Sequence, residues 1–210
     1  MKEEKRKFKT EQEEFWAGEF GDDYSDRNIG KSWIASNTAL FAKVLKNTQN
    51  VESILEFGAN IGLNLMALKI LLPNAKMSAV EINTAAVEEL KTNIEQIKVY
   101  PISIFDYESD EKSDFVFIKG VLIHINPDEL ETVYKKLYDS SSKYILVAEY
   151  YNPTPVTIPY RGHQNRLFKR NFAGEILERY SDLKLVDYGF VYHKDPNFPQ
   201  DDITWFLMKK

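Results

Sequence analysis

The sequence predicts an α/β fold: a seven-stranded, mostly parallel sheet with an antiparallel C-terminal strand and helices on both faces. Three observations predict it. Short apolar runs alternate with helix-period segments between residues 51 and 148, the pattern of strands joined by covering helices. The first run ends at Gly58, just before a helical segment. The last two runs, 183–191 and 203–208, follow one another without a helix between them, as an antiparallel edge pair would.

Residues 1–10 are almost all charged and read as a frayed, solvated start. Phe15, Trp16, Phe20 and Tyr24 then stand in a polar setting broken by Gly18 and Gly21, which suggests a short helix and a loop folded onto the main body. Within 30–46, Ile34, Phe41, Val44 and Leu45 recur at helical spacing. Residues 51–57 form a first buried strand. Residues 61–72 form a helix stopped by Pro73. Residues 77–82 are a second strand, 84–97 a second helix, 99–105 a third strand and 114–118 a fourth. Asn126 caps the next helix, with Pro127 in its first position and Glu129 three residues after the cap. That helix runs to about residue 140, and 144–148 is the fifth strand. Segment 150–170 carries Pro153, Pro155 and Pro159 and shows no period, so it reads as a long functional loop. A helix over 172–180 precedes the two final strands. The domain reading is one domain: an N-terminal helical lid segment, 1–48, packed on a core of 49–210.

Composition narrows the class. The 210 residues suit one domain, and a 43% apolar share with 13 Phe and 12 Tyr supports a packed core. No run is long enough to span a bilayer and the start is not apolar, so neither a membrane helix nor a signal peptide is expected. Cysteine is absent, which excludes disulfides and thiolate metal sites. A cytoplasmic protein is the plain expectation. A net charge of −5 argues against a nucleic-acid partner.

The chemistry concentrates where the first strand meets its helix, in Glu56-Phe57-Gly58-Ala59-Asn60-Ile61-Gly62. In open α/β sheets ligands bind beyond the carboxyl ends of the strands. Gly58 lets the chain turn tightly and approach a ligand. Gly62 lets the helix pack close to the strand, and the helix N-terminus offers free N–H groups to a carboxylate. Glu81 ends the second strand, 81 − 56 = 25 residues after Glu56, in position to accept hydrogen bonds from ribose hydroxyls. This Rossmann-like geometry also serves dinucleotides. The spacing here is G-x-x-x-G rather than G-x-G-x-x-G, and Glu56 two positions before the first glycine favours S-adenosylmethionine (SAM). Asn60 stands where such loops usually carry glycine; asparagine tolerates left-handed angles better than most residues.

The chain resembles class I SAM-dependent methyltransferases over residues 50–210. More narrowly it resembles the pseudaminic acid biosynthesis-associated methylases. The segments that carry this likeness are 55–65 (LEFGANIGLNL), 119–127 (KGVLIHINP), 149–155 (EYYNPTP) and 158–172 (IPYRGHQNRLFKRNF), with 20–28 (FGDDYSDRN) and the tail 188–206. The resemblance implies methylation of a nonulosonic acid, a nine-carbon acidic sugar, or of its nucleotide-activated form. It implies cofactor contacts from Glu56, Gly58, Asn60, Gly62, Glu81 and Ile82, and from Ser103, Ile104 and Phe105 (with Asp106) around the adenine. Lys119, at the exit of the fourth strand, would lie below the transferred methyl. Tyr24, Arg27 and Asn28 would form a lid.

Independently of the resemblance, segment 150–170 holds Arg161, His163, Arg166, Lys169 and Arg170 in an acidic chain. Arginine forks bind carboxylate or phosphate, so Arg161 and Arg166, with Tyr151 and His163, are the expected contacts to an acidic small-molecule substrate. The candidates for the base that takes the acceptor's proton are His124 and His163, followed by Glu149 and Tyr150. Asp201, Asp202 and His193 do not have a spacing diagnostic of a metal, and none is expected. Two other readings stay open: a non-catalytic SAM-binding or scaffold protein of surface polysaccharide synthesis, and an NAD-dependent sugar enzyme. The oligomeric state is left open.

Overall fold

The structure, a computed structural model, describes residues 8–27 and 30–210. Three N-terminal helices come first: α1 (Glu11–Ala17), α2 (Glu19–Arg27) and α3 (Lys31–Leu45). The sheet then begins with β1 (Ser53–Phe57), α4 (Leu63–Leu71), β2 (Lys76–Val80), α5 (Thr84–Asn93), β3 (Lys98–Tyr100) and β4 (Ser113–Lys119). Two 3-10 turns, Leu122–His124 and Pro127–Glu129, lead into α6 (Leu130–Ser140) and β5 (Ser141–Glu149). A hairpin follows, β6 (Val156–Tyr160) and β7 (His163–Lys169), then α7 (Phe172–Arg179), β8 (Lys184–Val191) and β9 (Ile203–Lys209).

Seven strands form one sheet in the order β3-β2-β1-β4-β5-β9-β8. β1 to β5 pair in parallel; β9 runs antiparallel to both β5 and β8. The expected architecture is therefore present. Residues of successive strands alternate between two apolar layers. Ile54, Phe115, Phe117 and Leu146 pack with α3, α4 and α5 on one face. Leu55, Val116, Ile118 and Val147 pack with α6 and α7 on the other. Short polar side chains start several helices: Asn83 Oδ1 accepts the Ala86 N–H (2.9 Å), and Asn171 Oδ1 accepts the Gly174 N–H (3.0 Å). At α1, Thr10 and Glu13 form a reciprocal capping box.

Two expectations need correction. Segment 150–170 is not structureless; most of it is the β6–β7 hairpin, with Thr157 opposite Phe168 and Ile158 opposite Leu167. Its tip is the pair Arg161 (φ 48°) and Gly162 (φ 87°). Both angles are positive, as a tight primed turn requires. Buried Leu167 and Phe168 anchor the hairpin. The third strand is also shorter than expected: β3 ends at Tyr100, and residues 101–105 turn away across the top of the sheet.

Candidate active site

A cavity of about 410 Å³ opens at the carboxyl ends of β1, β2 and β4. Its floor is the turn after β1. There the Gly58 N–H bonds the Val80 carbonyl (2.8 Å) and the Gly62 N–H bonds that of Ala59 (2.9 Å). Gly58 has φ 73°, and a Cβ added there would lie 2.6 Å from Val121 Cγ2. Backbone angle and close approach both demand glycine. Gly62 has φ 87° and its added Cβ would meet Leu90 Cδ1 at 2.3 Å. The close packing expected at Gly62 is thus against α5, not against a strand. Asn60 holds the left-handed angle expected of it, φ 48°.

Glu81 organises this floor. Its Oε2 accepts the Asn60 N–H (2.7 Å) and its Oε1 accepts the Asn83 N–H (2.8 Å). Burial pushes its carboxyl pKa upward against those bonds. The Ile82 N–H favours the same carboxylate, which as an acceptor of about four hydrogen bonds still has capacity for a ligand, and Glu81 lines the cavity. Ile82, Ser103, Ile104, Phe105 and Lys119 line it too. Asp106 does not belong to that lining. Burial lowers the Lys119 pKa, while Glu56, Asp201 and Glu149 oppose the shift. Glu56 is not a wall residue. It lies fully buried beneath the turn, where Asn64 Nδ2 donates to its Oε1 (2.7 Å), and burial holds its pKa well above the ordinary carboxylate value.

The second end of the cavity is aromatic. His124 is 7% exposed and sits in the 3-10 turn after β4. The Arg166 carbonyl lies 2.6 Å from His124 Nδ1. A carbonyl only accepts, so Nδ1 carries the proton and Nε2 keeps its lone pair. Burial brings the His124 pKa down to about 4, leaving the ring neutral at physiological pH. Trp16 (4.6 Å between centroids) and Tyr160 (5.0 Å) flank the ring. Arg161, on the hairpin tip, lines the same end, as does Tyr150.

Several expected site residues are placed elsewhere. Arg166 does not line the cavity; its guanidinium pairs with Glu11 on α1 (3.1 Å) and lies over the Phe15 ring. His163 packs edge-on against Phe15 outside the cavity. Tyr151 is 42% exposed and rests against Phe206. Glu149 is buried behind the wall, where its Oε1 accepts the N–H groups of Val121 (2.9 Å) and Leu122 (2.8 Å). Asn28, and the side chains of Tyr24 and Arg27, lie outside the described residues.

The cavity also has walls that the sequence reading did not name. Gln12 and Trp16 of α1 roof it, and Trp33 and Asn37 of α3 contribute one side. Gln200 and Asp201, ahead of β9, close the remaining side. Buried Gln200 donates through Nε2 to Asn37 Oδ1 (2.9 Å). Gln200 lies 163 positions from its partner Asn37, so no local motif marks this side of the cavity. Among the described residues no cluster of three or more His, Asp or Glu side chains could hold a metal ion. No described helix is long and apolar enough to cross a membrane.

The sequence matches no protein-family model and no curated protein. Solved structures do match. One is the magnesium protoporphyrin IX methyltransferase of Synechocystis PCC 6803 with bound SAM, at 13% identity and a TM-score of 0.67, over 98% of this chain and 100% of that one. Another is the 1,6-didemethyltoxoflavin-N1-methyltransferase of Burkholderia thailandensis with S-adenosylhomocysteine, at 13% identity and a TM-score of 0.67, over 91% and 85%. A third is an amino pentose methyltransferase of Micromonospora echinaspora with bound SAM, at 8% identity and a TM-score of 0.64, over 90% and 95%. At these identities the likeness establishes a shared fold, the Rossmann-like fold of methyltransferases.

Proposed function

We propose that the chain is a SAM-dependent methyltransferase whose acceptor is a small acidic sugar, of the nonulosonic acid type or its nucleotide-activated form. One observation carries the reading: a single cavity joins a nucleotide-type end to an aromatic end that holds His124 and Arg161. At the first end, Glu81 suits a ribose diol and Ile104 and Phe105 suit an adenine face. The fold is shared with proteins solved with SAM or its demethylated product. The amino pentose methyltransferase is one relative in fold that acts on a sugar. Bound there, SAM would supply an electrophilic methyl carbon on a sulfonium.

The chain's own residues would do the rest. Trp16 and Tyr160 present flat apolar faces of the kind on which sugar rings stack. Arg161 supplies a fork for a carboxylate or phosphate. His124 Nε2 accepts the hydrogen bond of the acceptor hydroxyl and so turns an oxygen lone pair toward the methyl carbon. Glu81, Ile104 and Phe105 would hold SAM so that its methyl carbon could take the oxygen lone pair, with the carbon–sulfur electron pair leaving on sulfur. The acceptor proton becomes strongly acidic only at that stage, so a weak base such as neutral His124 suffices to take it.

Calorimetry with SAM, S-adenosylhomocysteine and NAD tests the cofactor half of this proposal. Saturable binding of the first two and not of NAD is expected. NAD binding alone would replace it with the reading as an NAD-dependent sugar enzyme.

A further inference from the structure

We infer that Glu149 is a positioning residue that keys the wall between cofactor and acceptor, a role distinct from proton transfer. This rests on the functional reading above only for its effect on turnover; the geometry stands without it. Glu149 is the last residue of β5 and is 2% exposed. One of its oxygens, Oε1, gathers the N–H groups of Val121 and Leu122. These are the residues at which the chain leaves β4 and enters the short turn bearing His124. Within that turn the His124 N–H bonds the Val121 carbonyl (2.9 Å) and the Ile125 N–H bonds that of Leu122 (3.1 Å).

Held there, Val121 and His124 face two different tasks. The Val121 side chain closes onto Gly58, the position where an added Cβ would meet it at 2.6 Å. His124 meets the Arg166 carbonyl of β7 and stands in the acceptor wall. One carboxylate oxygen thus fixes the seal on the cofactor turn and the orientation of the imidazole together. A side chain that merely filled space would not direct an acceptor at two successive N–H groups.

The groups facing Glu149 are few. Lys119 of β4 attracts its charge. Tyr134 of α6 also feels that charge. The Ile123 N–H also favours the Glu149 carboxylate. Reach, more than charge, sets the clasp: glutamine can still present an oxygen to both N–H groups, whereas aspartate is one methylene too short.

The chain has three histidines, so two-bond nitrogen–proton NMR of the rings resolves His124, with His163 and His193 as internal controls. In the parent, one ring should show a fixed Nδ1–H tautomer that does not titrate between pH 5 and 8. Glu149→Gln should keep that signature. Glu149→Asp should lose it, giving a ring that exchanges tautomers and titrates, with the other two rings unchanged. Where SAM turnover is measured, Glu149→Asp should also lower kcat about tenfold and raise the cofactor Kd several-fold. Glu149→Ala, read by the same signal, serves if the aspartate variant does not fold. A folded Asp or Ala variant with the parental His124 signature overturns the inference. Loss of that signature with no SAM binding in any form, parent included, would instead keep the clasp and remove the methyltransferase reading.

Discussion

At the scale of single residues, the useful distinction is between groups that line the cavity and groups that hold the lining. Arg161 and Arg166 show it. Both were candidates for the acidic substrate, yet only Arg161 reaches the cavity, while Arg166 is committed to Glu11 and Phe15. Arg161→Ala should therefore raise the acceptor KM about tenfold with little change in kcat, the loss of one charged hydrogen bond. Arg166→Ala should leave the acceptor KM within about twofold; a matching rise in both variants, read by steady-state kinetics, would contradict the division. Gly58→Ala is the sharpest change at this scale. It adds a Cβ 2.6 Å from Val121 at a φ of 73°, so calorimetry should find SAM affinity reduced at least tenfold. The tight turn at Gly58 and the places of Glu81 and residues 103–105 beside the cavity were legible in the sequence because they lie at or just beyond the carboxyl ends of strands. The roles of Glu149 and Arg166 were not, since the type of residue says nothing about which neighbour engages it.

At the scale of elements, periodicity gave the helices and central strands, and it failed where regular pattern gives way to turn geometry. The β6–β7 hairpin was missed because Pro153, Pro155 and Pro159 read as loop and because Arg161, rather than Asn or Gly, opens its turn. Gly162 supplies the remaining signal. An added Cβ there has nothing within 4 Å, so Gly162→Ala costs only backbone strain, about 1 kcal/mol. Thermal unfolding should detect that loss, and the acceptor KM should rise because Arg161 shares the turn. The junction of β5 with the His124 turn has its own pH signature. Burial raises the Glu149 pKa from 4.5 to about 7. Below pH 4.5 the group is protonated in both the folded and the unfolded chain and contributes nothing. Between pH 4.5 and 7 the unfolded chain ionises first, so folding stability falls, and above pH 7 the deficit stays constant. Glu149→Gln removes it, and should stabilise the protein relative to the parent at pH 8 by up to about 3 kcal/mol while changing little at pH 4.5. Denaturant titrations at the two pH values check this; a variant less stable at pH 8 would contradict the shift.

At the scale of the whole molecule, the mostly parallel sheet and the reversed β9 follow from the sequence pattern, while the strand order and the roof over the cavity do not. That roof is assembled over long separations. Gln12 Nε2 donates to the Asn165 carbonyl (3.1 Å), Glu11 pairs with Arg166, and Lys9 pairs with Glu129 (2.5 Å). None of these partners lies near the other in sequence, so hydrophobic period cannot reveal them. A ligand that fills this cavity touches α1, α3, the sheet and the hairpin together, so it should stabilise the fold as one unit. At a hundred times its Kd, SAM should add about 2.7 kcal/mol, visible as a rise of several degrees in Tm. NAD should add none.

The most direct test of the account is transfer itself. The chain is incubated with SAM carrying a deuterated methyl group and with nonulosonic acids or their nucleotide forms, and the mixture is read by mass spectrometry. An acceptor heavier by one labelled methyl and an equal amount of S-adenosylhomocysteine should appear, both lost in Gly58→Ala. Saturable SAM binding with no labelled acidic sugar among these acceptors would contradict it.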